Sequence, residues 1–187
     1  MADLIETLRN EHRNLARLLN ALDHQIGVFA EADRPDYDVI CGIADYFLDY
    51  PDLCHHPKEN AIFRAFTARY PDKAAGFADL LREHRALHDH AVKFRSAVAA
   101  LLNDTDISRS AIVGAASQFI DAQRRHMRIE EEAFFPSVSE TLSAEDWTEI
   151  DHEVIEGRDP LFGDADEDRF AALRERLLAW EREYRIA

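Results

Sequence analysis

Cysteine is scarce, with two residues in 187; glycine and proline number six each; no long apolar run is present, and positive charge is in deficit. Each shortage excludes something. Cys41 and Cys54 are too few and too unpatterned for a disulfide framework, which leaves both as reduced thiols. Few glycines and prolines beside 32% charged residues disfavour short strands and turns and favour long helices. No stretch approaches the ~18 to 20 apolar residues of a membrane span. The start, Met1-Ala-Asp-Leu-Ile-Glu6, lacks a basic region followed by an apolar one, so the expectation is a cytoplasmic chain with no membrane partner. Lys and Arg total 22 against 37 Asp and Glu, and a net charge of −15 argues against nucleic acid, whose phosphates require a basic surface. Small cations suit such a surface, although solubility alone accounts for it equally well.

What is present is helical periodicity. Leu4, Leu8, Leu15, Leu18, Leu22, Ile26 and Phe29 form one stripe. After a turn at 31–36, Tyr37, Ile40, Ile43 and Phe47 open a second, which resumes at Ile62, Phe63 and Phe66. Pro51 and Pro57 interrupt it, so this helix is expected to kink or break near 47–53. A third helix is predicted from Pro71 to Leu101, and a fourth, capped by Ser108 or Asp106, from Ile112 until Pro136 stops it. Four long helices with short turns predict an all-α, up-down-up-down antiparallel four-helix bundle over residues 1–140. Residues 141–187 read as an extension packed on the bundle: a short helix after Ser143, a loop at 157–163 and a further helix over 166–184.

The chain also repeats itself at a period of about 71 or 72 residues. Glu11-His12-Arg13 recurs as Glu83-His84-Arg85. His55, four residues before Glu59 and eight before Phe63, recurs as His126 before Glu130 and Phe134. A spacing of four puts a histidine and its glutamate on one helix face, about a turn apart. Register agrees: each first-helix histidine lies about as far before its turn as the partner histidine lies after it, roughly 29 Å at ~1.5 Å of rise per residue. His88 shares the face of His84, whereas its counterpart is Ala16. Seven candidate ligands result: His12, His55, Glu59, His84, His88, His126 and Glu130. A lone buried histidine is more often satisfied by hydrogen bonds. Seven titratable groups in one apolar layer are costly to bury unless metal neutralises them.

With these residues placed, the chain resembles the hemerythrin-like family of histidine- and glutamate-containing (HHE) cation-binding domains. The resemblance lies in Glu11-His12, His55-His-Pro-Lys-Glu59, Glu83-His84 and His126-x-x-x-Glu130-Glu-x-x-Phe-Phe-Pro136, and covers about residues 4–137. It implies two iron ions, bridged by two carboxylates and an oxo or hydroxo group. It would give one iron His84, His88 and His126 and the other His12 and His55, with Glu59 and Glu130 bridging. The second iron then keeps an open position for a small diatomic or peroxide ligand: O2, NO or peroxide. Oxygen carriers of the family have aspartate five residues after the last histidine. Here that place is Glu131, which shifts the expectation from reversible O2 carriage towards redox, sensing or stress roles. Zinc or manganese also suits this donor set.

The expected function is therefore a non-haem diiron protein that binds or reduces a small oxidant. The alternatives are an iron store, iron donor or gas-sensing module without turnover, or a bundle whose metal is structural. Either a monomer or a homodimer is compatible with the sequence. His56, turned about 100° from His55, is expected at the surface or in a supporting role. His24, His90 and His152 are unassigned, Met127 reads as core filler, and Tyr46 and Tyr50 lie one and two turns before His55.

Overall fold

A computed structural model describes residues 2–103, 105–154, 159–162 and 168–184, and among these the only regular structure is helical. Helix α1 (Ala2–Ala30) ends in a turn where Ala32 takes a positive φ of 68°. Asp36 then caps α2 (Tyr37–Tyr50), its carboxylate accepting from the backbone N–H groups of Asp38 and Val39 at 3.1 and 3.2 Å.

The expected break near residues 47–53 and the expected stop at Pro136 are both resolved by the same device. A π-helical turn, Pro51–His55, joins α2 to α3 (His56–Arg69) without interruption. Pro57 follows this turn by two residues. A second π turn, Glu130–Phe134, joins α6 (Arg109–Ile129) to α7 (Phe135–Thr141), and Pro136 again follows by two. Proline lacks an N–H and crowds the carbonyl four residues back. In each wide turn the backbone instead bonds at a spacing of five, His56 N–H to the Pro51 carbonyl and Phe135 N–H to the Glu130 carbonyl. The extra residue accommodates the proline, so each helical rod continues beyond it.

Pro71 does start a helix, but α4 (Pro71–Ala74) is one turn long. A 3-10 turn over Ala75–Phe77 precedes α5 (Leu80–Leu102). Ser108, not Asp106, caps α6 by accepting from Ala111 N–H. Helix α1 packs on α2 and α6, and α5 packs on α2 and α6, closing a helical bundle. Two apolar clusters fill it. One joins Leu18, Leu22, Ile43, Phe47, Phe94 and Phe119; the other joins Leu8, Ile62, Phe66, Leu80, Phe134 and Phe135. Along α1, the first π turn with α3, α5, and α6 with the second π turn, the histidines and glutamates of the repeat form a buried polar layer beside these clusters.

The C-terminal helices pack on this bundle. Ser143 and Asp146 form a reciprocal capping box that starts α8 (Ala144–Glu153), which buries Trp147 and Ile150 against α3. Helix α9 (Asp168–Tyr184) lies on α2, where a Cβ at Gly42 would meet Leu173 at 3.2 Å. Arg17 bonds Glu181 at 2.6 Å, and Arg176 pairs with Asp36 and Asp38. Residues 157, 158 and 163 of the expected loop and the expected start of the last helix at Asp166 lie outside the described residues.

Candidate metal centre

Six of the seven sequence candidates converge. His12, His55, Glu59, His84, His126 and Glu130 are each at most 7% exposed. Helical spacing of four aligns His55 with Glu59 and His126 with Glu130, and their imidazole Nε2 atoms lie 3.1 and 3.2 Å from the respective carboxylates. His12 Nε2 lies 3.4 Å from both Glu59 and Glu130. His84 Nε2 lies 3.4 Å from Glu59 and 3.8 Å from Glu130. Each carboxylate is thus approached by histidines from both halves of the repeat.

These inward atoms face one another without bonding. The Nε2 atoms of His12, His84 and His126, and all four carboxylate oxygens of Glu59 and Glu130, are buried and make no hydrogen bond. Buried polar atoms are nearly always satisfied, because each one left unpaired costs about 1–3 kcal/mol. Seven orphaned donor atoms aimed at one locus have the chemistry of a ligand set. Donor atoms of His12, His55 and Glu59 lie within 4.8 Å of one another, as do those of His56, Glu59, His84 and His126, so Glu59 belongs to both groups.

The outward ring nitrogens, by contrast, are all bonded. Nδ1 of His12 lies 2.9 Å from Glu131, that of His55 2.8 Å from Glu11, that of His126 3.0 Å from Glu83 and that of His84 3.1 Å from the Asn60 carbonyl oxygen. An acceptor at Nδ1 fixes the tautomer that leaves Nε2 free and raises its basicity, the usual support for a metal-bound imidazole. Glu11 is itself bonded by the buried Lys58. None of these residues was assigned a supporting role from the sequence, yet each sits next to a candidate ligand in the chain. A residue turned 100° from a ligand reaches the neighbouring helix.

Electrostatics follow from this crowding. Burial pushes His12 towards the neutral form, but Glu130, Glu131 and Glu59 outweigh it and raise its pKa to about 11. His126 is raised to about 9 against burial, chiefly by Glu130. Burial raises Glu59 and Glu130, yet the surrounding imidazoles hold both below the usual carboxylate range. Without metal, then, protons on the histidines neutralise the layer, and metal ions would displace them.

Two histidines depart from expectation. His88 is not brought together with the other six: its side chain is 43% exposed, with Nδ1 2.6 Å from Asp52. His56, expected at the surface or in support, is 5% exposed and stacks on His84 at 4.0 Å and 7°. Its Nδ1 bonds the other oxygen of Asp52 at 2.9 Å. Burial holds its pKa down at about 4, against the pull of that carboxylate. Tyr46 donates to Asp159 at 3.0 Å and stacks on Tyr50, whose pKa is raised by burial and by the Glu11 carboxylate. Met127 packs in the apolar core.

Fold and site together define a class: helical bundles with a buried histidine and glutamate cluster able to hold metal ions. The chain matches the family model of the hemerythrin HHE cation-binding domain over residues 3–138, and it belongs to that family. No curated protein and no solved structure matches it.

Proposed function

We propose that this chain is a non-haem diiron protein that binds or reduces a small oxidant such as O2, NO or peroxide, in sensing or stress response. The observation that carries the reading is the set of inward, unbonded Nε2 and carboxylate atoms whose outer partners are all in place. The architecture is read as an up-down-up-down antiparallel four-helix bundle of four rods: α1, α2 with α3, α5, and α6 with α7. Residues 1–140 form the metal-binding unit, and 141–187 form an extension that carries α8 and α9 as two extra helices.

In this reading His12 and His55 hold one ion and His84 and His126 the other. Glu59 and Glu130, each faced from both halves, would be shared between them. His56 stands where the resemblance gives His88, because it is buried beside His84 and Glu59. Mixed imidazole and carboxylate donors suit iron, and also zinc or manganese. Iron bound there supplies one-electron chemistry and a coordination position for the small oxidant. The chain's own part is to hold a proton at Nδ1 and aim Nε2 inward, through Glu11, Asn60, Glu83 and Glu131, and to flank the centre with two apolar clusters. A store, donor or sensor without turnover is the competing reading, favoured by the deep burial of the His12 and His55 side.

The test is optical. Iron-reconstituted protein is expected to change its spectrum on adding azide, NO or peroxide, and to turn over peroxide or NO when a reductant is supplied. A spectral response without turnover selects the sensing module. No response from an iron-loaded chain overturns oxidant binding.

A further inference from the structure

A cleft of about 620 Å³ opens between the π turn Pro51–His55 and α5, lined in part by Asp52, His56, Leu81, His84, Arg85 and His88. It reaches the His84 side of the centre. The opposite side is closed, with the His12 ring stacked on Phe135 at 5.4 Å and 18°.

Along this cleft metal-binding groups form a line from solvent inward. His88 and Asp52 stand at the mouth, with side chains 43% and 40% exposed and 2.6 Å apart. Asp52 also bonds His56, and His56 stacks on His84. At the inner end the Nε2 of His84, buried and unbonded, belongs to the centre itself. An imidazole beside a carboxylate is a competent ligand pair for a divalent first-row ion, and its exposure lets it take an ion still carrying water. Asp89 adds negative charge at the mouth, opposed there by Arg85. The chain's net charge of −15 favours cation approach overall.

We propose that this cleft is the entry route for divalent cations, with the exposed His88 and Asp52 pair taking the ion first and passing it to His56 and His84. The inference rests on the metal-centre reading and assigns His88 a transit role in place of resident coordination. A mouth of one half-exposed imidazole and one carboxylate suits this, because two ligands hold an ion weakly and it must leave as readily as it arrives.

Cobalt(II) uptake by the metal-free chain, followed through the cobalt visible absorption band after rapid mixing, tests it. His88→Ala removes the first station, and Leu81→Trp fills the cleft without replacing any proposed ligand. Both variants are expected to bind two cobalt ions at equilibrium, as the unaltered chain does, but about tenfold more slowly or worse, the lower end of what a charged, focusing cleft contributes to an association rate. Unchanged uptake rates in both variants overturn the route. Loss of one cobalt at equilibrium in His88→Ala also overturns it, since His88 is then a resident ligand. No cobalt bound by the unaltered chain overturns the metal centre itself, and the route with it.

Discussion

The two halves of the repeat contribute the same donors to the centre in unlike surroundings. In the first half, Glu11 supports His55 from a nearly enclosed position, 12% exposed, and is held by the buried Lys58. In the second, Glu83 supports His126 from a side chain 39% exposed, and the place of Lys58 is taken by Ile129. The crossing supports differ too: Asn60 serves His84, whereas its counterpart Glu131 serves His12 and is also bonded by Arg9. The inner donors follow the repeat, whereas the residues that support them differ between the halves.

The comparison breaks most completely at the shared carboxylates. Glu130→Ala removes a group faced by His12, His84 and His126, so metal content is expected to fall from two ions per chain to one or none, by elemental analysis. Without metal the same change leaves buried imidazolium groups with less counter-charge, and unfolding by urea is expected to show a loss of about 3–5 kcal/mol. A smaller effect separates the halves. Lys58→Met strips a buried cation from Glu11 and is expected to cost a few kcal/mol. Glu83→Gln on the exposed side is expected to cost about 1 kcal/mol or less. Equal losses in these two variants would erase the distinction drawn between the halves.

Stability of the metal-free chain is expected to depend on pH at both ends. His12 and His126 have folded pKa values raised to about 11 and about 9 from an ordinary 6.5. Their contribution is complete below pH 6.5 and is lost as pH climbs through about 9 and then about 11. His56 works the other way: lowered to about 4, it contributes fully above pH 6.5, and that stability is lost as pH falls towards 4. Glu59 and Glu130, both lowered, steepen the acid loss below 4.5. Urea midpoints measured across pH check this, and metal loading is expected to abolish the alkaline limb, because bound imidazoles carry no proton to lose. A comparably small effect lies outside both halves of the centre. Ala32→Gly relieves a left-handed alanine and is expected to stabilise by about 1 kcal/mol with metal content unchanged.

The inner donors were legible because a spacing of four on regular helices, repeated at about 71 residues, leaves few other alignments for His55, Glu59, His126 and Glu130. His56 was not, because one-face reasoning treats a residue 100° away as facing elsewhere. In a bundle, elsewhere is the next helix: His55 addresses Glu11 and His12 on α1, while His56 addresses His84 on α5. Glu11, Asn60, Glu83 and Glu131 were not given their supporting roles for the same reason. His88 shares a face with His84 but lies a full turn along the axis, which brings it level with Asp52 at the cleft mouth. Pro51 and Pro57 read as a kink or break near 47–53, and Pro136 as a stop, because a wider turn that lets a helix continue past proline leaves no compositional trace.

The central claim is that the unbonded inward atoms of His12, His84, His126, Glu59 and Glu130, with His55 beside them, exist to hold a pair of metal ions. Elemental analysis of protein expressed with iron available, and of the metal-free chain after reconstitution, tests it most directly. The account predicts close to two irons per chain, with near-ultraviolet absorption that disappears on chelation. No bound metal after reconstitution, or a stoichiometry unchanged by His84→Ala and His126→Ala, would contradict it.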